Sequence, residues 1–155
     1  MHPSCQTLER MKSYLAAFIA ASAAAVTGFV IHVATQEWVR SWVALHMQGR
    51  EVTSSWEVRY VAFLTSLEVG VGLVILYALV RTALPAKSSL VRGLLLGVLL
   101  LAVMGRLVRQ PAMNLVVGNP LVVVAVQDGI SWVLWLSMCV VVAVTYDLLA
   151  SKNAL

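Results

Sequence analysis

What most limits the fold of this chain is a set of apolar runs too long for a soluble core. Ser13 to Val33 is one run, Val58 to Val80 is a second, and a third opens near Leu90. Crossing a hydrocarbon layer about 30 Å thick takes roughly 20 mostly apolar residues in a helix. Composition agrees with that reading. The 155 residues are 61% hydrophobic and 12% charged, with a mean hydropathy of +0.89, where a soluble domain carries about a quarter charged residues. The sequence therefore predicts an all-α integral membrane protein made of a single domain.

Punctuation within the runs sets the boundaries. Four transmembrane helices are expected, over 13–34, 58–80, 90–117 and 120–149, packed as a four-helix bundle. Gly118-Asn119-Pro120 divides the last two. Gly is common just past a helix end, Asn is a strong N-cap, and Pro is favoured at the first helical position. This predicts an antiparallel hairpin, with Arg109 and Asp128 level on its two arms and ion-paired. The arms pose a length problem, because Pro120 to Leu149 as one helix would be about 45 Å long against a layer of about 30 Å. Either the arms bend, with Pro111 and Gly129 as hinges, or the tip protrudes and is covered by its own chain or a neighbouring copy.

Shorter signals fill in the rest. Trp38, Trp42 and Leu45 share a helical face, which predicts a short interfacial helix over 37–48 between the first and second spans. Ser54-Ser55-Trp56-Glu57 is a capping-box pattern ahead of the second span. Ala17, Ala21 and Ala25 form one small-residue stripe, and Ala20, Ala24 and Gly28 another. Together with Gly93-x-x-x-Gly97 they mark faces where helices approach closely. The first run also carries the basic start and Ala21-Ser22-Ala23 of a cleaved signal peptide, although it continues well past that site.

Four spans place both termini on one side. Arg10, Lys12, Arg81, Lys87, Arg92 and Lys152 fall on that side, whereas Arg40, Arg50, Arg59, Arg106 and Arg109 fall on the other among acids. The positive-inside preference makes the termini cytoplasmic, in a plasma membrane or bacterial inner membrane. The net charge of +4 contains no block of like charges, so the lipid bilayer is the expected partner and nucleic acid is not. Cys5 and Cys139 have neither CxxC nor metal-type spacing. No GxGxxG, P-loop, HExxH or GxSxG occurs, so no catalytic residue, metal or cofactor is expected and nothing points to an enzyme. Haem would need a second histidine within the spans to face His32.

The informative residues are the polar ones inside the runs. At about 1.5 Å per residue, Glu68 stands roughly 18 Å up its helix from the cytoplasmic end, and His32, Arg106, Arg109 and Asp128 stand roughly 24 to 30 Å up theirs. Charges at such depths cost several kcal/mol, so they face the bundle interior and pair. Glu68 with Arg106, and Asp128 with Arg109, is the simplest satisfied set, completed by His32, Asn114 and Gln127. Such pairs also serve simply to fix helix register. The functional reading is a polar cluster in the outer half that binds a ligand or carries protons, in a transport-like protein. It would act as a homo-oligomer, because four short helices rarely enclose a pathway alone. The alternative is a non-catalytic subunit or assembly partner of a larger membrane complex, docked through the apolar hairpin tip.

Overall fold

The computed structural model describes residues 3–47 and 58–151. They form five helices: α1 (Pro3–His46), α2 (Val58–Val80), α3 (Ser89–Val103), α4 (Arg109–Val116) and α5 (Leu121–Ser151). No strand occurs among the described residues. Three helices, α1, α2 and α5, are long and apolar enough to cross a membrane, and α3 is a shorter apolar helix. The chain is an all-helical membrane protein. The capping pattern at Ser54 to Glu57 lies outside the described residues.

Residue-to-residue contacts fix how the helices run. Glu37 meets Arg59, and a Cβ placed on Gly70 would sit 2.7 Å from the Ala21 carbonyl oxygen, so α1 and α2 are antiparallel. Ser89 meets Asp147, Gly93 abuts Val140, Gly97 abuts Leu136, Arg106 meets Ser131 and Gln110 meets Asp128. One antiparallel register along α5 therefore carries both α3 and α4, as the expected hairpin requires. α5 is the axis of the fold, packed by α1, α2, α3 and α4. Ala20, Ala24, Tyr77, Leu96, Cys139 and Val142 are buried along it, and the alanine stripe lets α1 lie close. The glycine pair at Gly93 and Gly97 does the same for α3, since a Cβ at Gly93 would come 2.6 Å from the Val140 Cα.

Two boundaries differ from expectation. The short interfacial helix over 37–48 is not a separate element, because 37–46 continues α1 to a length of 44 residues, about 66 Å. The reason lies in the sequence. No Gly or Pro occurs between Phe29 and Met47, and Thr35 and Ser41 hydroxyls bond back to the carbonyls of Ile31 and Glu37. α1 thus runs past the start of α2 and flanks the hairpin tip. Gly28 of α1 abuts Met138 of α5, and counting from that contact along the antiparallel pair brings buried Val43 level with buried Val123 and Val124. The tip is only partly covered, since Val116, Val117 and Leu121 remain exposed.

The second difference is the third span, expected over 90–117 with a hinge at Pro111. It breaks instead at Gly105, whose φ of +70° is the left-handed conformation that suits glycine. The Arg106 N–H donates to the Leu101 carbonyl (2.8 Å) and the Gly105 N–H to that of Ala102 (3.0 Å), the paired bonds of a Schellman helix stop. The expected stop at Gly118 has the same construction. There φ is +85°, the Asn119 N–H reaches the Asn114 carbonyl and the Gly118 N–H that of Leu115. Pro111 falls in the first turn of α4, where its missing N–H costs no helical bond. The Pro120 carbonyl accepts from the Val124 N–H, so α5 begins one residue later than the Asn cap implied.

Candidate functional site

The break between α3 and α4 gathers the polar residues at the hairpin-tip end of the bundle. Asp128, Ser131, Trp132 and Trp135 recur at helical spacing on one face of α5, and the 104–110 segment lies against that face. Arg106 is held there three ways. Its Nη1 donates to Ser131 Oγ (3.1 Å), its carbonyl accepts from Trp132 Nε1 (2.9 Å), and its guanidinium lies 5.5 Å from the centre of the Trp135 ring. Gln110 Nε2 donates to Asp128 Oδ1 (3.0 Å). Asp128 is 3% exposed, and its Oδ2 is buried without a hydrogen-bond partner.

The expected ion pairs do not form. Arg109 is exposed and Asp128 takes Gln110 instead, one residue on. The left-handed turn at Gly105 restarts the helical phase, so depth read along a straight helix gave the right level and the wrong side chain. Glu68 lies on the exposed face of α2, and neither Arg106 nor any other described residue bonds it. Gln127 is exposed, and Asn114 contributes its carbonyl to the helix stop. His32 is half-buried with Nε2 unpartnered, beside a void of about 70 Å³ that Thr65, Ser66 and Met138 also line. The structure thus brings Arg106 and Asp128 onto one face of α5, with His32 near Trp135, and leaves Glu68, Arg109 and Gln127 outside.

A second polar cluster, at the other end of the bundle, was not singled out from the sequence. Asp147 Oδ2 accepts from the Tyr77 hydroxyl (2.6 Å) and from Ser89 Oγ (2.7 Å), and lies 3.3 Å from Arg92 Nη1. Arg81 Nη1 is 3.7 Å from Oδ1, with its guanidinium 5.2 Å from the centre of the Tyr146 ring. One carboxylate therefore ties together the end of α2, the start of α3 and the end of α5. A signal existed. The stretch from Arg81 to Arg92, with Lys87 between them, has no acid, and apart from Glu9 Asp147 is the one carboxylate side chain that the sequence reading assigns to that side.

Neither cluster holds three of the His, Cys, Asp and Glu side chains that a metal would require, among the described residues. No protein-family model matches this chain, nor does any curated protein or solved structure.

Proposed function

We propose that the protein is a small four-pass membrane protein of a plasma or bacterial inner membrane that works as an oligomer, with α2 as the seam between copies. The observation that carries this reading is Glu68, a carboxyl near the middle of a membrane-spanning helix, exposed and without a partner among the described residues. A charged side chain facing lipid at such a depth is costly, and covering it with protein removes that cost. Its surroundings have the form of a seam. Val61, Thr65, Glu68, Gly72, Ile75 and Leu79 alternate spacings of four and three, and all are exposed. That alternation is the one by which two like helices mesh side chains, and it is self-complementary about a two-fold axis. A Cβ on Gly72 would touch nothing within 4 Å, so a second backbone has room to approach.

The ligand-binding or transport-like role follows from the same geometry. Within one copy, the void beside His32 is too small for a pathway. Between copies Glu68 becomes an interior carboxyl, placed to bind a cation or to carry a proton. Cytoplasmic termini are supported by Arg81 and Lys87 of the α2–α3 loop and Arg92 in the first turn of α3, at the end where α1 begins and α5 finishes. The four-pass count is supported by the shared register of α3 and α4 along α5.

Gly72→Cys in native membranes is expected to cross-link copies, whereas Val30→Cys on the exposed face of α1 is not. Gly72→Leu is expected to convert the purified oligomer to monomer without loss of thermal stability, because nothing in its own chain is displaced. A monomeric wild-type protein, or equal cross-linking at both positions, rules out the seam. The competing reading is a subunit docked through the exposed tip. It predicts that polar changes at Leu115, Val116 or Leu121 release a co-purifying membrane protein while Gly72→Leu does nothing.

A further inference from the structure

The Asp147 cluster borders a cleft of about 360 Å³ lined by Arg81, Ser89, Arg92, Asp147, Leu148 and Ala150. Its charge is unbalanced. Two guanidiniums face a single carboxylate, and Lys87 in the adjoining loop adds a third cation. The carboxylate is also already well supplied, because Tyr77 and Ser89 both donate to it at short range. Fixing α2, α3 and α5 together requires one arginine at most, so the second is left to explain.

Donor capacity points the same way. Arg92 spends Nη1 on Asp147 and Nη2 on the Lys87 carbonyl (3.3 Å), and its Nε is buried without a partner. Arg81 is the looser of the two on Asp147, at 3.7 Å, and its guanidinium also lies over the Tyr146 ring, 5.2 Å from its centre. A cation–π contact with a ring uses none of the guanidinium's five N–H groups as hydrogen-bond donors to oxygen, so they remain to be spent elsewhere. Two guanidiniums lining one partly open cleft supply the forked donors by which arginine takes phosphate oxygens. The cleft also lies where the apolar lengths of α2 and α5 end, the level of lipid headgroups.

We infer that this cleft is a binding site for a phosphate ester of net negative charge, gripped by Arg81 and Arg92 while Asp147 positions Arg92. Basic pockets between helices at the cytoplasmic surface take anionic headgroups in this way. A free phosphate compound presents the same oxygens, and the experiment separates the two sources. The site is independent of the α2 seam, since no residue is shared.

The test is thermal unfolding of the full chain in neutral detergent, titrated with phosphatidylglycerol, phosphatidylcholine or inorganic phosphate. Phosphatidylglycerol is expected to raise the midpoint and phosphatidylcholine is not. Arg81→Gln is expected to weaken the apparent affinity about tenfold, the loss of one charge-assisted bond, while Lys12→Gln on exposed α1 leaves it unchanged. Protection by inorganic phosphate, lost in the same variant, assigns the site to a free phosphate compound. If Arg81→Gln does not fold, Arg81→Lys keeps the charge without the fork and is expected to weaken binding partially. Equal protection of wild type and either arginine variant, or equal protection by both lipids, overturns the proposal.

Discussion

Asp147 and Asp128 sit near opposite ends of the same helix and are held in opposite ways. Asp147 receives two hydroxyl bonds, faces two guanidiniums and joins three helices. Asp128 is more deeply buried, receives one amide bond from Gln110, and keeps an oxygen bare. The Asp147 end puts its polar groups into tying unbroken helices together. The hairpin-tip end puts them into holding a broken helix in place, chiefly through Arg106 on Ser131, Trp132 and Trp135. A charge that bridges several elements is a fastener, whereas one that meets a single flexible amide only locates it.

The largest effect expected from that contrast is Asp147→Ala. Removing it strands two guanidiniums against each other, and breaking a largely buried pair in this way costs about 3 kcal/mol. Asp128→Ala loses one bond and one unsatisfied oxygen together, for about 1 kcal/mol. Denaturant titration of both variants in mixed micelles measures the difference. Equal losses would remove the distinction between fastener and locator.

Next in size is Gly105→Ala. A side chain at φ +70° is disfavoured, and its Cβ would lie 3.3 Å from the Arg109 Cβ. The expected cost is about 1 kcal/mol. Because the strain is confined to the outer arm, faster amide exchange is expected across 104–116 and unchanged exchange around Asp147. Uniform acceleration over the bundle would mean that the two ends unfold as one unit.

The contrast also marks how much was legible in the sequence. Apolar length revealed α1, α2 and α5, and small residues at helical spacing revealed which faces of α1 and α3 lie against a neighbour. Gly118-Asn119-Pro120 revealed the tip because three residues each favoured a stop or a restart. Gly105 stands alone between Met104 and Arg106, without a Pro or a cap residue beside it, so the same motif passed unseen. Missing it carried the error into the site. Depth along an assumed straight helix survives a break, because rise per residue changes little, but azimuth does not. Arg109 was therefore placed at the right height facing the wrong way. Glu68 was assigned inward on cost alone, and its actual face depends on packing partners that periodicity in so uniformly apolar a helix does not reveal. Asp147 was overlooked for a different reason. By position it reads as a helix-end residue, although the acid-free stretch from Arg81 to Arg92 demands a carboxylate from elsewhere in the chain.

The smallest expected effect is the sharpest discriminator of the outer arrangement. A double-mutant cycle of Gln110→Ala with Asp128→Ala should show coupling of roughly 0.5 to 1.5 kcal/mol, the range of one hydrogen bond. The parallel cycle of Arg109→Ala with Asp128→Ala should be additive to within about 0.5 kcal/mol, as for residues that share no partner. The two cycles share one variant and differ by one residue of register, so errors in the reference state cancel between them. Coupling through Arg109 and none through Gln110 would mean that α4 is turned by about 100° from the orientation described, the angle of one residue in an α-helix. It would then carry Arg109 onto Asp128 and restore an ion-paired outer cluster. Coupling through Gln110 alone leaves Arg109 free on the outer surface and confines the interior charge of that end to Arg106 and Asp128, each held by α5.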